Sequence, residues 1–283
     1  MLPTATKKRD GFLRKIDVLQ RRLATLHAKT LDDLVSMAVN TLTRTGGRAH
    51  WSANSVRLRL EQLRSDTARL MGGTFGELVK DGFHAAVAVM KAAEKSRKRE
   101  DQTDNEVMAA ALLFMKQPKD YTKILRSKNM VGLSWDQQLA KSFTRTAKFN
   151  AIASELEQGA NAGDIKTLRS RILPLIEPIS AASQTIAQCE GIRIAQTAQQ
   201  EAYKEADKAT IMGGGLIVAG LIAGQTLHCA CIPTSAEDHI ERHLKYYKRI
   251  GPGEYMASDG ERMPRPPYGH PGCLCWLVPE FTV

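Results

Sequence analysis

"SAASQTIAQCEGIRIAQTAQQEAYKEADKA" (residues 180–209) is followed almost at once by "IMGGGLIVAGLIAGQTLHCACIP" (211–233). The first stretch is long, rich in Ala and Gln and free of Pro, which predicts a helix. The second is Gly-rich and built from branched apolar residues, which is strand chemistry. This change of texture near residue 210 sets the expected architecture: a mostly α protein, with a helical N-terminal region followed by a small α+β C-terminal domain. The apolar run after the seam covers about ten residues, against the ~20 that a membrane-spanning helix needs. No window of 18 or more apolar residues occurs elsewhere. No spanning helix and no membrane partner are expected.

Upstream of the seam lies "VGLSWDQQLAKSFTRTAKFNAIASELEQGANAGDIKTLRSRILPLIEPI" (131–179). Ser134 is placed to cap a helix running to about Gln158. "GANAG" (159–163) reads as a stop and turn, Asp164 as the cap of the next helix, and Pro174 and Pro178 as its end. Further upstream, Leu13, Ile16, Leu19, Leu23, Leu26 and Leu31 recur at helical spacing between basic residues. "RTGGRAHW" (44–51) breaks that pattern, and "SANSVRLRLEQLRSDTARLM" (52–71) restarts it. "GGTFGELVKDGFHAAVAVMKAAEKSRKRE" (72–100) predicts a third helix, and "NEVMAAALLFMKQ" (105–117) a fourth. The expected division is a basic helical region over 1–130 and a second region over 131–283. The second region comprises long helices over 134–209 and a small α+β unit over 210–283.

Beyond the seam, "SAEDHIERHLKYYKRIG" (235–251) reads as one short helix. Asp259-Gly260 reads as a hairpin-type turn, and "CLCWLVPEF" (273–281) as a final apolar strand. A unit this rich in loops has too little core to be stable without a staple.

Charge is segregated as well. The formal net charge is +10, yet residues 1–100 hold 20 Lys and Arg against 10 Asp and Glu, while 101–283 hold 20 against 20. A local basic surface implies a polyanion such as nucleic acid, or an acidic protein surface, as partner. A solvated helical surface is the plainer alternative. No P-loop, dinucleotide fingerprint or nucleophile elbow is present. Glu155 and Glu157 point apart on their helix and make no catalytic pair.

Four of the five cysteines fall into two tight pairs, "HCAC" (228–231) and "HPGCLC" (270–275). Clustering and an odd count favour metal ligation over a secreted disulfide framework. A reducing, cytosolic setting and no secretory signal are expected. Cys229 and Cys231 with His270 and Cys273 supply the soft and borderline ligands that a structural zinc ion prefers. Cys275 is either a further ligand or a core residue. A metal-free cysteine cluster, a disulfide and a catalytic metal centre are the competing readings. His239 and His243 are spaced i, i+4 within "HIERH", which lacks the zincin pattern and reads as a polar helix face. No His-and-Asn arrangement of the HNH-nuclease kind is evident. Cys189 reads as a core residue of the long helix, and His27, His50 and His84 as isolated.

These stretches resemble a known family. "RIAQTAQQEAYKEAD" (193–207), "QTLHCAC" (225–231) and "PPYGHPGCLC" (266–275) occur in the order seen in phage head morphogenesis proteins, the Mu F-like minor head proteins. The resemblance covers roughly residues 131–279. It departs from the family where Ala198 stands in place of the usual Glu, where the first cysteine pair is C-x-C, and where Leu274 replaces Arg. It implies a virion protein made in the host cytoplasm, held in low copy inside the head at the portal vertex, and aiding head assembly or DNA packaging or ejection. Its implied partners are the portal protein, a capsid or scaffold protein and packaged double-stranded DNA. It implies binding and no enzymatic turnover. Lys7, Lys8, Arg9, Arg14, Lys15, Arg21 and Arg22 are the expected surface for non-specific contact with DNA phosphates. The alternatives are a metal-dependent, HNH-like nuclease and a zinc-stabilised DNA-binding protein with no virion role.

Overall fold

The computed structural model describes residues 2–45, 53–96, 121–129, 132–161, 165–213, 216–222, 246–251, 254–262 and 276–282. These are mostly helical. The helices are α1 (Leu2–Thr45), α2 (Ala53–Ser96), α3 (Tyr121–Leu125), α4 (Trp135–Thr146), α5 (Phe149–Asn161) and α6 (Ile165–Gly213). The strands are β1 (Leu216–Ile222), β2 (Tyr246–Gly251), β3 (Glu254–Ala257) and β4 (Trp276–Thr282). None of the described helices is long and apolar enough to cross a membrane. The expected helix over 105–117 lies outside the described residues.

Three expected helix boundaries before the sheet are corrected. Gly72 and Gly73 do not separate two helices, because α2 runs through them. Two glycines weaken a helix by about 1 kcal/mol each relative to Ala. Tertiary packing supplies the compensation: Met71 and Phe75 are fully buried on either side, and the Trp135 indole lies 3.5 Å from where a Gly72 Cβ would stand. Pro174 and Pro178 likewise sit inside α6 and do not end it. Each removes one backbone donor. They are four residues apart on one exposed face, where water can meet the carbonyls left without a helical donor, while Ile172, Ile176 and Ile179 bury the other face.

The third correction is a break at Ala147–Lys148 within the helix expected from Ser134 to Gln158. α4 buries Trp135, Leu139 and Phe143, at i, i+4 and i+8. In an unbroken helix Ile152 would fall about 180° away from Phe143, at ~100° per residue. Yet Ile152 and Leu156 are fully buried. The extended Ala147 (φ −76°, ψ 101°) resets the phase so that both helices bury their apolar faces. Ser134 does begin α4: Gln137 Oε1 accepts its backbone N–H at 3.0 Å, half of a capping box.

The chain forms two compact units interleaved in sequence. One comprises residues 17–73 and 128–188. Its core draws Leu19, Leu23 and Leu34 from α1, Leu60 and Leu63 from α2, Phe143 from α4, Leu156 from α5 and Ile172 from α6. The other comprises residues 1–16, 74–127 and 189–283. Phe12 and Ile16 are buried there with Phe75, Leu78, Phe83, Ile192 and Ile194.

The second unit carries an antiparallel sheet in the order β3-β2-β1-β4. β1 and β4 fall where strand chemistry predicts them. Pro279 is tolerated in β4 because that strand lies at the sheet edge. The expected helix over 235–251 is corrected at its end: Tyr246–Gly251 is β2, with Val218 opposite Lys248. Residues 235–245 lie outside the described set. The Asp259-Gly260 turn is present. Gly260 has φ +87°, a conformation that suits glycine, and Asp259 Oδ1 accepts the Glu261 N–H at 3.0 Å.

Candidate functional site

Cys229, Cys231, His270, Cys273 and Cys275, together with His239 and His243, lie outside the described residues. Their flanks do not. Ile222, the last residue of β1, is the register partner of Trp276, the first residue of β4. The chain that goes on to Cys229 and Cys231 therefore leaves the sheet beside the point where the chain coming from Cys273 and Cys275 enters it. Cys275 immediately precedes Trp276, and Cys229 follows Ile222 by seven residues. Seven residues reach at most about 23–25 Å, so the connection permits the two pairs to meet. Two thiol pairs and an imidazole form a donor set that suits zinc chemically. Among the described residues, no group of three or more His, Cys, Asp or Glu side chains could hold a metal ion.

The expected DNA-contact residues all fall on α1, where surroundings sort all but Arg9, whose side chain lies outside the described set. In the unit containing residues 1–16, Lys7, Lys8 and Arg14 are exposed. Arg14 Nε donates to the Asp10 carbonyl at 3.3 Å, which leaves its charge toward solvent. Lys15 is different. Its ammonium lies 2.5 Å from Asp81 and 3.4 Å from Glu77, and its side chain is only 40% exposed. Partial burial works against the charged form. Asp81 and then Glu77 more than offset it, holding Lys15 above the usual lysine value. Its charge is already met by two carboxylates, so it has little left for a phosphate.

In the other unit, Arg21 and Arg22 are exposed. Arg21 is ion-paired to Asp17 one turn earlier. Arg22 has no ion pair among the described residues. Together with Lys29 these residues rim an open hollow of about 540 Å³, whose apolar lining is Val18, Leu26 and Leu70.

No protein-family model, curated protein or solved structure matches this chain. The fold and the placement of its residues therefore stand on the chain's own chemistry.

A buried polar constellation on α6 escapes notice in the sequence. Arg193 and Glu190 are each only 4% exposed and pair at 2.7 Å. The guanidinium also donates to the Ser127 hydroxyl at 2.7 Å and to the Ser127 carbonyl at 2.8 Å. It thereby pins the chain after α3 to α6. Removing one partner from such a buried pair costs about 3–5 kcal/mol. The available signal was an i, i+3 Glu–Arg pair set among small and apolar residues in "CEGIRIA".

The same stretch of α6 packs closely against α2. Ala198 is fully buried, and a Cβ on Gly82 would come within 2.7 Å of both the Ala198 Cβ and the Ala195 carbonyl. Cys189 is half-buried and forms no disulfide among the described residues. His27 is a buried residue, 3% exposed, with its Nδ1 2.6 Å from the Leu23 carbonyl.

Proposed function

We propose that this chain is a minor head protein of a bacteriophage virion, acting by binding. In this reading it is made in the host cytoplasm and held inside the head at the portal vertex. There it contacts the portal protein and a capsid or scaffold protein, and aids assembly or the packaging or ejection of DNA. The supporting observation is one of order. A long helix carrying Arg193 and Thr197 runs into β1, a cysteine pair follows, and "HPGCLC" runs into β4, the register neighbour of β1. That is the order of the motifs by which residues 131–279 resemble the head-morphogenesis proteins.

In the same reading, residues 210–283 form a small α+β domain closed by a structural zinc ion. Cys229, Cys231, His270 and Cys273 hold it, with Cys275 in reserve. The ion supplies a cross-link between the two cysteine segments, and so adds folding free energy to a loop-rich unit. Lys7, Lys8 and Arg14 would meet packaged DNA through its phosphates, without sequence preference and with strong salt dependence.

Fractionation of DNA-filled heads made by the encoding phage tests the role. The chain is expected to co-sediment with heads in a few copies and to be captured with the portal protein. Heads that lack the chain, and a portal protein that does not retain it, overturn the assignment.

A further inference from the structure

The hollow on α1 and α2 in the unit of residues 17–73 and 128–188 has a chemistry that phosphate contact leaves unexplained. Its floor is apolar: Leu26 and Leu70 are half-buried, and Val18 is 42% exposed. Its rim carries Arg21, Arg22 and Lys29. Arg21 is paired with Asp17, while Arg22 and Lys29 have no ion pair among the described residues. A DNA backbone needs only the rim, since phosphates gain nothing from exposed valine and leucine. A small molecule favours an enclosed pocket with a few convergent polar groups, whereas this hollow of about 540 Å³ is open. An apolar floor with unpaired cations at its edge is the complement of a helix whose apolar stripe is bordered by carboxylates.

We propose that this hollow docks an acidic amphipathic helix of a partner protein. Apolar side chains of that helix seat on Val18, Leu26 and Leu70, and its Asp and Glu residues pair with Arg22 and Lys29. Part of the basic surface assigned to DNA by sequence thus serves protein recognition. The proposal does not depend on a virion role.

The probe is a short, fluorescein-labelled designed helix with Leu at three- and four-residue spacing and Glu elsewhere, titrated with the full-length protein. Saturable binding is expected. Arg22→Glu combined with Lys29→Glu weakens it about tenfold or more, the loss of two rim charges at a docked interface. Arg64→Glu reverses an exposed charge of the same unit outside the hollow and shifts the affinity less than about twofold. Val18→Ser tests the floor without a change of charge, and the exposure of Val18 makes it compatible with folding, which circular dichroism verifies. Val18→Ser weakens the peptide about threefold or more and leaves binding of a short DNA duplex unchanged. Failure of the peptide to bind saturably overturns the proposal. So does indifference to Val18→Ser. Displacement of the peptide by duplex DNA at equal affinity, with only the rim substitutions mattering, would make the hollow a nucleic-acid surface.

Discussion

A methyl group at Gly82 would stand 2.7 Å from the Ala195 carbonyl oxygen, and a backbone oxygen cannot rotate away. Alanine is the better helix former by about 1 kcal/mol, but overpacking against backbone costs more. Gly82→Ala is therefore expected to destabilise the protein by about 1–2 kcal/mol net in urea unfolding; unchanged or raised stability would show that α2 and α6 are not packed this closely. His27 makes a second prediction at this scale. Burial, opposed only in part by the Leu23 carbonyl, holds its imidazole below the usual histidine value. As pH falls through about 6.5, the unfolded chain takes up a proton that the folded chain refuses. The neutral ring's contribution to stability is thus intact above that pH and is lost progressively below it, down to the depressed folded value. His27→Leu should flatten this part of the stability profile, and a mutant as pH-sensitive as the parent would place the titrating group elsewhere. The sequence marked His27 as isolated but could not reveal its burial. That depends on α1 turning this face, Leu23 with His27, into the core.

At the scale of elements, periodicity located α1, the start of α2 and the start of α4. It failed where local rules met tertiary packing. Gly72-Gly73 and the two prolines are helix breakers by propensity, and each is overridden by apolar residues buried on the same helix. The break at Ala147–Lys148 is the converse case. No breaker residue stands there, and the signal was instead the phase slip between Phe143 and Ile152. β2 was misread because "YYKRIG" continues a helical pattern, and only its pairing with β1 and β3 makes it a strand. The charged face of α1 was legible as a composition, whereas its division into free and neutralised charges was not. Asp81 and Glu77 lie more than sixty residues from Lys15 in the chain. If α1 meets DNA through phosphates, Lys7→Ala and Lys8→Ala should each lower the slope of log affinity against log salt by about 0.9. Lys15→Ala should leave that slope nearly unchanged. Equal losses at all three positions would contradict the sorting, and fluorescence anisotropy on a short duplex reads them directly.

At the scale of the whole molecule, the division between helices and a C-terminal strand region was readable from the change in texture near residue 210. The interleaving of the two units was not. It is made by contacts among segments far apart in sequence, such as Arg193 with Ser127. The same holds for the two cysteine pairs. Their residue types spoke for a metal, but only the pairing of Ile222 with Trp276 provides a reason for segments some forty residues apart to meet. Everything at this scale turns on whether those segments close on one ion. Elemental analysis of the purified full-length protein, before and after a strong chelator, decides it. The expected result is about one equivalent of zinc per chain, lost in Cys273→Ser and His270→Ala, with thermal unfolding shifted down when the metal is stripped. Less than about half an equivalent of zinc, with an unfolding curve that the chelator leaves in place, would contradict a zinc-closed C-terminal domain.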